Sequence, residues 1–141
     1  MKYVLDSNVA LKWVLPEKDS AKAIALHRDS QAGIHDLIAP EVFPVEAAHA
    51  LTRAERRGVV TVGAADVHLF NILQTGPQLH SYLPLLKRAV GISSAERVGV
   101  YDCLYVALAE REGCEFVTAD DKLVKRLKPT FPFIVALSAL P

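Results

Sequence analysis

The chain has 141 residues, a length that fits one domain over 1–141, and at 51% hydrophobic and 23% charged it has the composition of a globular protein, not a disordered one. Sixteen Lys and Arg balance sixteen Asp and Glu, which excludes a binder whose whole surface is basic and leaves room only for a local basic groove. Three apolar residues precede Asp6, too few for a signal-peptide core, and no run approaches the roughly 20 apolar residues of a transmembrane helix, so the expectation is a cytoplasmic protein without membrane association.

In chain order, Lys2–Leu5 reads as a short buried strand that runs into Asp6, which by its position at a strand–helix turn is either a helix cap or one wall of a metal site. Ser7 is a good N-cap for a helix over Asn8–Leu15, which Pro16 ends. Trp13 stands among Leu11, Val14 and Leu15, so core packing is its expected use, ahead of base stacking. Ser20–Arg28 is a second helix and Leu37–Ala39 a short strand. Phe43, Ala47, Ala50, Leu51 and Ala54 recur at helical spacing within Glu41–Arg57, with Gly58 as the stop. Pro44 falls in the first turn of that helix, where a missing N–H is tolerated. Thr61 is expected to cap a helix that runs to about Gln74, and Thr75-Gly76-Pro77 breaks the chain. Leu83 to about Ser93 is helical, as is Tyr101–Glu112, which Gly113 ends. Phe116–Ala119 is a strand, Asp121–Leu127 a short helix and Phe133–Leu137 the last strand. Cys103 and Cys114 lie at or near one helix, about 16 Å apart along its axis. A disulfide needs Cα atoms within about 7 Å, so both thiols should be free.

Short apolar strands separated by helices describe an α/β domain with a parallel sheet covered on both faces. In such sheets functional groups gather at the carboxyl ends of the strands. Two strands end in acids, in VLDSN and VTADD, and on neighbouring strands these acids would face one crevice. Asp120 directly continues its strand and is assigned to the crevice, with Asp121 as the helix cap. Thr118, two residues earlier, projects to the same side as Asp120. Glu46 has no Lys or Arg three or four residues away, so the usual surface ion pair is missing. Asp102 leads a helix that is small or apolar as far as Ala109, which points it into the interior. A carboxylate cluster needs a cation to neutralise it. Oxygen ligands without His or Cys favour Mg²⁺, with Mn²⁺ as a substitute, over Zn²⁺. His27, His35, His49, His68 and His80 show no zinc-type spacing.

Four blocks, VLDSNVALKWVLPE, APEVFPVEAAHAL, VYDCLYVALAEREG and FVTADDKL, resemble in order and spacing those of the PIN-domain ribonucleases. Within them the chain resembles the VapC toxins of type II toxin–antitoxin pairs, and the resemblance covers nearly the whole chain. Pro44 departs from the pattern, which more often has an ordinary helix former there. The resemblance implies a PIN-like, Rossmann-like three-layer sandwich with a central, mostly parallel sheet of four to five strands. It implies a Mg²⁺-dependent endoribonuclease that cuts RNA phosphodiester bonds with a metal-activated water, leaving 5′-phosphate and 3′-hydroxyl ends. It also implies a homodimer, and a VapB-like antitoxin that inserts across the active-site groove. The catalytic acids map to Asp6, Glu46, Asp102 and Asp120. Asp6 and Asp102 are expected to hold the metal directly, and Glu46 and Asp120 to hold its waters or a second ion. Asn8 and Thr118 support them. Lys12, Arg53, Arg56, Arg57 and Lys122 are candidates for RNA phosphate contacts. The alternatives are a non-toxin PIN nuclease in RNA maturation and a catalytically silent PIN binding module. A phosphoacceptor receiver domain needs an acidic pair after the first strand and an Asp ending a middle strand, whereas Leu37–Ala39 runs into Pro40.

Overall fold

Tyr3, Val4 and Leu5 are all buried, as expected of a strand covered on both faces. They form most of β1 (Lys2–Leu5) in a computed structural model that describes residues 1–141. The chain continues through α1 (Ser7–Leu11), α2 (Ser20–Gln31), β2 (Asp36–Pro40), α3 (Phe43–Arg56) and α4 (Ala64–Gln74). It then passes through β3 (Gln78–His80), α5 (Leu83–Glu96), α6 (Val100–Glu112), β4 (Glu115–Thr118), α7 (Asp121–Leu127) and β5 (Ile134–Ala136), and a 3₁₀ turn over Leu137–Ala139 follows.

The five strands form one sheet in the order β3-β2-β1-β4-β5. Every pairing is parallel, so the expected four to five mostly parallel strands resolve to five wholly parallel ones. The chain first steps outward from β1 to β2 and β3, then crosses back to β4 on the other side of β1. The direction therefore reverses between β1 and β4, the switch point where open parallel sheets place their crevice. Leu5 pairs with Val117 there, so the two strands end side by side.

Cys103 to Ala109 are buried without a break. This explains why α6 shows no polar stripe in the sequence: it packs on α5 and also on β1, β2 and β4. It ends at Gly113, whose φ of 63° favours glycine, and Cys114 N–H donates to Ala109 O at 3.1 Å. The core is one cluster that includes Val4, Leu5, Phe43, Leu51, Tyr105, Phe116 and Ile134. Trp13 is pinned against α2, its Nε1 donating to Ala23 O at 3.0 Å and its ring stacked 4.0 Å from His27. Both cysteines are free, Cys103 buried and Cys114 partly so. No helix is long and apolar enough to cross a membrane.

Several boundaries differ from the sequence expectations. α1 stops at Leu11, four residues before the expected end; from there Lys12, Trp13 and Val14 N–H donate three residues back, to Val9, Ala10 and Leu11 O, in tighter turns that lead to Pro16. β3 falls just after the expected break at Pro77. Thr61 does not cap α4. That helix starts after Gly63, and Glu55 of α3 reaches across to it, its Oε2 accepting from Gly63 N at 2.7 Å and Ala65 N at 2.9 Å.

Candidate active site

The adjacency of β1 and β4 assembles the first half of the site. Asp6 N–H donates to Val117 O at 3.1 Å, so the residue just past β1 remains tied to β4. This sets Thr118 beside Asp6, and Thr118 Oγ1 donates to Asp6 Oδ2 at 2.9 Å. The same hydroxyl accepts from Asn8 Nδ2 at 3.2 Å and from Asp120 N at 3.1 Å. One donation and two acceptances exhaust a hydroxyl, so Thr118 cannot turn away. Asn8 is held in turn, its Oδ1 accepting from Ala119 N at 3.0 Å.

Asp6 and Asp120 are also helix caps; the sequence favours Ser7 and Asp121 for that role, with capping by Asp6 as the alternative. Asp6 Oδ1 accepts from Asn8 N at 3.4 Å, and Ser7 is already the first residue of α1. Asp120 Oδ1 accepts from Leu123 N at 3.0 Å, while Asp121 lies in the first turn of α7 and takes a bond from Ser138 Oγ at 3.3 Å. The physical reason is backbone shape. A cap residue is extended while the next is helical, and each of these acids is the last extended residue after its strand, with ψ of 144° and 93°.

Helices supply the other half. Glu46 is in the first turn of α3, and its N–H makes a regular helical bond to Val42 O at 3.0 Å, so Pro44 leaves its position undisturbed. Tyr105 Oη donates to Glu46 Oε1 at 2.5 Å. Asp102 is in the first turn of α6. Burial pushes the Asp6 carboxyl up to about 7, and the charges of Asp102 and Glu46 add to this against the bonds from Thr118 and Asn8. Glu46 is raised by burial and by Asp102, against the bond from Tyr105. Asp102 is raised by burial and by the charge of Asp120, with no hydrogen bond to offset them. The four acids therefore share one field, and no cation enters it.

A groove of about 900 Å³ opens over three of these acids, Asp6, Glu46 and Asp102, and Asp120 lies outside its lining. His49, Val45, Leu86 and Tyr101 line it as well, and no Lys or Arg does. The five basic candidates thus lie outside. Lys12 is paired with Glu17 at 3.7 Å and only 13% of its side chain is exposed. Arg53 is exposed one turn beyond His49 on the same face of α3, Arg56 donates to Thr52 Oγ1 at 3.5 Å, and Arg57 caps the helix end. Lys122 is exposed in the first turn of α7.

Chemically the cluster is an all-oxygen donor set. Asp6 Oδ2, Glu46 Oε1 and Asp120 Oδ1 are each anchored by a hydrogen bond of 3.0 Å or less. Asp6 Oδ1 takes only the long bonds from Asn8 N and Ser7 Oγ, at 3.4 and 3.5 Å. No three of the acids close on one point tightly enough to grip an ion by themselves. Sequence reasoning missed Tyr105 and the contact of Ser7 with Asp6. The signal for Tyr105 was its hydroxyl in an otherwise apolar buried run, because such a group requires a partner.

The PIN domain family model matches residues 3–128. Ribonuclease VapC3 of Pyrobaculum aerophilum is 31% identical over 137 residues, which cover 96% of this chain and 98% of that protein. A crystal structure from Pyrobaculum aerophilum superposes with a TM-score of 0.72 at 20% identity, covering 98% of this chain and 93% of that one. VapBC2 of Rickettsia felis, solved bound to a DNA fragment from its promoter, superposes with a TM-score of 0.63 at 15% identity, covering 96% and 97%. These two structural likenesses concern the fold.

Proposed function

The chain belongs to the PIN domain family, and from that premise we propose that it is a Mg²⁺-dependent endoribonuclease acting as the toxin of a toxin–antitoxin pair. The observation that carries this reading is the convergence of four carboxylates from β1, α3, α6 and the end of β4 with no cation among them, three of them raised in pKa by burial and mutual repulsion. The name of the Pyrobaculum aerophilum relative supports the nuclease activity. The fold shared with VapBC2 supports a VapB-like antitoxin partner.

The residues fit a hard divalent cation. The acids offer oxygen donors only, and no Lys or Arg lines the groove beside them, a donor set that suits Mg²⁺, with Mn²⁺ as a substitute. Asp6 and Asp102 would hold it directly, with Glu46 and Asp120 bonding its waters or a second ion. Bound there, the ion supplies Lewis-acid polarisation of a phosphoryl oxygen and a coordinated water of lowered pKa. The protein supplies the rest. Thr118 and the α1 amide fix Asp6 on two sides, and Asn8 fixes Thr118. Asp102, without a donor of its own, presents both oxygens. Val45, Leu86 and Val100 add apolar side chains to the lining of the groove. Hydrolysis leaves a 5′-phosphate and a 3′-hydroxyl.

Arg53 and Arg57 would meet backbone phosphates where the RNA leaves the groove along α3. A homodimer and the antitoxin would cover apolar surface now exposed, such as Val67 and Phe70 on α4 and Leu83 and Val90 on α5. The experiment is expression in bacteria. Wild-type protein should arrest growth, Asp102→Asn should not, and the antitoxin encoded beside it should relieve the arrest. Harmless overexpression of soluble wild-type protein would refute the toxin role, and RNA cutting without arrest would favour RNA maturation. Sequencing RNA ends soon after induction identifies the target.

A further inference from the structure

Tyr105 is wholly buried on α6, three residues after Asp102, with its ring stacked 5.5 Å from Phe116 of β4. Its hydroxyl donates to Glu46 Oε1 on α3, fifty-nine residues away in sequence, at 2.5 Å. Glu46 and Asp6 both line the groove. A buried tyrosine needs only one acceptor, and a backbone carbonyl would serve. This one instead bonds a carboxylate of the repelling cluster, on a different helix. The arrangement parallels Thr118 and Asp6, where a buried hydroxyl anchors one oxygen of an acid that lines the groove. A glutamate in a first turn otherwise has three rotatable bonds and sweeps a wide volume.

Resting on the nuclease reading above, we propose that Tyr105 is a positioning residue. Its hydroxyl anchors Glu46 Oε1 and so presents the other carboxylate oxygen to the crevice, completing the divalent-cation site with Asp6 and Asp102. It acts through Glu46 and touches neither ion nor RNA. Groups that orient metal ligands in this way typically carry about 10–100-fold of metal affinity or activity.

Tyr105→Phe removes the hydroxyl and keeps the stacked ring. In calorimetric titration with Mn²⁺, it should bind about 10–100-fold more weakly than wild type. In Mg²⁺-dependent RNA cleavage, kcat should fall by a similar factor while KM for RNA stays within about twofold, since the groove wall is untouched. In a Glu46→Ala background the same substitution should change Mn²⁺ affinity by no more than about twofold, because its route of action is gone. Glu46→Asp tests the contact from the other side. It keeps the charge but withdraws the carboxylate from Tyr105, and should lose Mn²⁺ affinity even if Tyr105→Phe folds poorly. Wild-type Mn²⁺ affinity in Tyr105→Phe or in Glu46→Asp would overturn the proposal, as would an equal loss in the wild-type and Glu46→Ala backgrounds. Wild-type protein that binds Mn²⁺ but cuts no RNA would overturn the nuclease reading instead, and the Mn²⁺ comparison would still decide on Tyr105. Wild-type protein that binds no Mn²⁺ would overturn both.

Discussion

Replacing Asp6 with Asn should stabilise the metal-free protein, and the gain should grow with pH. Asn keeps the shape, remains a good N-cap and can still accept from Thr118, so the change is mainly the loss of a buried charge. The carboxyl ordinarily titrates at 3.8, and burial with its acidic neighbours pushes it up to about 7. At about 1.4 kcal/mol per pH unit, ionising it in the folded state costs about 4 kcal/mol. That figure is a ceiling, because relaxation and water entry soften the field, and about 1–2 kcal/mol is expected in practice. The sign follows from proton counting. Between about pH 4 and 7 the folded state holds a proton that the unfolded chain has lost, so wild-type stability falls as pH rises through that window. Asn does not titrate. Calorimetric melting in EDTA should therefore show a small difference near pH 5 and, near pH 8, a variant melting about 3–8 °C higher. Excess Mg²⁺ should close the gap by stabilising wild type and not the variant. A variant that melts lower at pH 8, or a margin equal at both pH values, would show that Asp6 is simply a structural cap.

Other substitutions separate the framework from the chemistry. Glu55→Ala removes the acceptor for Gly63 N and Ala65 N and should cost about 1 kcal/mol in denaturant unfolding with RNA cleavage unchanged; a loss of cleavage would tie the α3–α4 corner to the site. Thr118→Val leaves Asp6 Oδ2, Asn8 and Asp120 N without their shared hydroxyl and should cost about 1–3 kcal/mol together with most of the activity; near-wild-type cleavage would dismiss the hydroxyl as a support. Arg88→Ala removes an exposed pair with Glu110 at 2.7 Å and should shift stability by less than about 1 kcal/mol, which the same unfolding curves check. Arg53→Ala with Arg57→Ala should weaken RNA binding and flatten its dependence on salt while kcat holds; an unchanged salt slope would remove both from the RNA path.

The four acids are readable in the sequence because each breaks a local pattern. Asp6 and Asp120 end apolar strands, Glu46 lacks an ion-pair partner, and Asp102 leads an apolar helix. That β1 and β4 are neighbours was an inference from fold class, and it is borne out by the sheet order. The features that escaped depend on long-range or one-residue detail. β3 is a three-residue edge strand, Gln78-Leu79-His80, with little apolar signal, and it becomes a strand by pairing with β2. Capping by Asp120, in place of Asp121, and the choice between Asp6 and Ser7 turn on where the backbone changes from extended to helical, a one-residue offset that periodicity does not resolve. Glu55 caps α4 only because the α3–α4 corner folds back, and Tyr105 meets Glu46 only because α6 and α3 converge at the crevice. The five basic residues carry charge in the sequence but no direction, and the fold sets all of them outside the groove.

The most direct test of the central claim is cleavage of an end-labelled RNA by purified protein, with Mg²⁺ or with EDTA, for wild type and Asp102→Asn. The four-acid site predicts cutting only by wild type and only with Mg²⁺, with a 5′-phosphate on the downstream product. Cutting that persists in EDTA, or at the wild-type rate in Asp102→Asn, would contradict it.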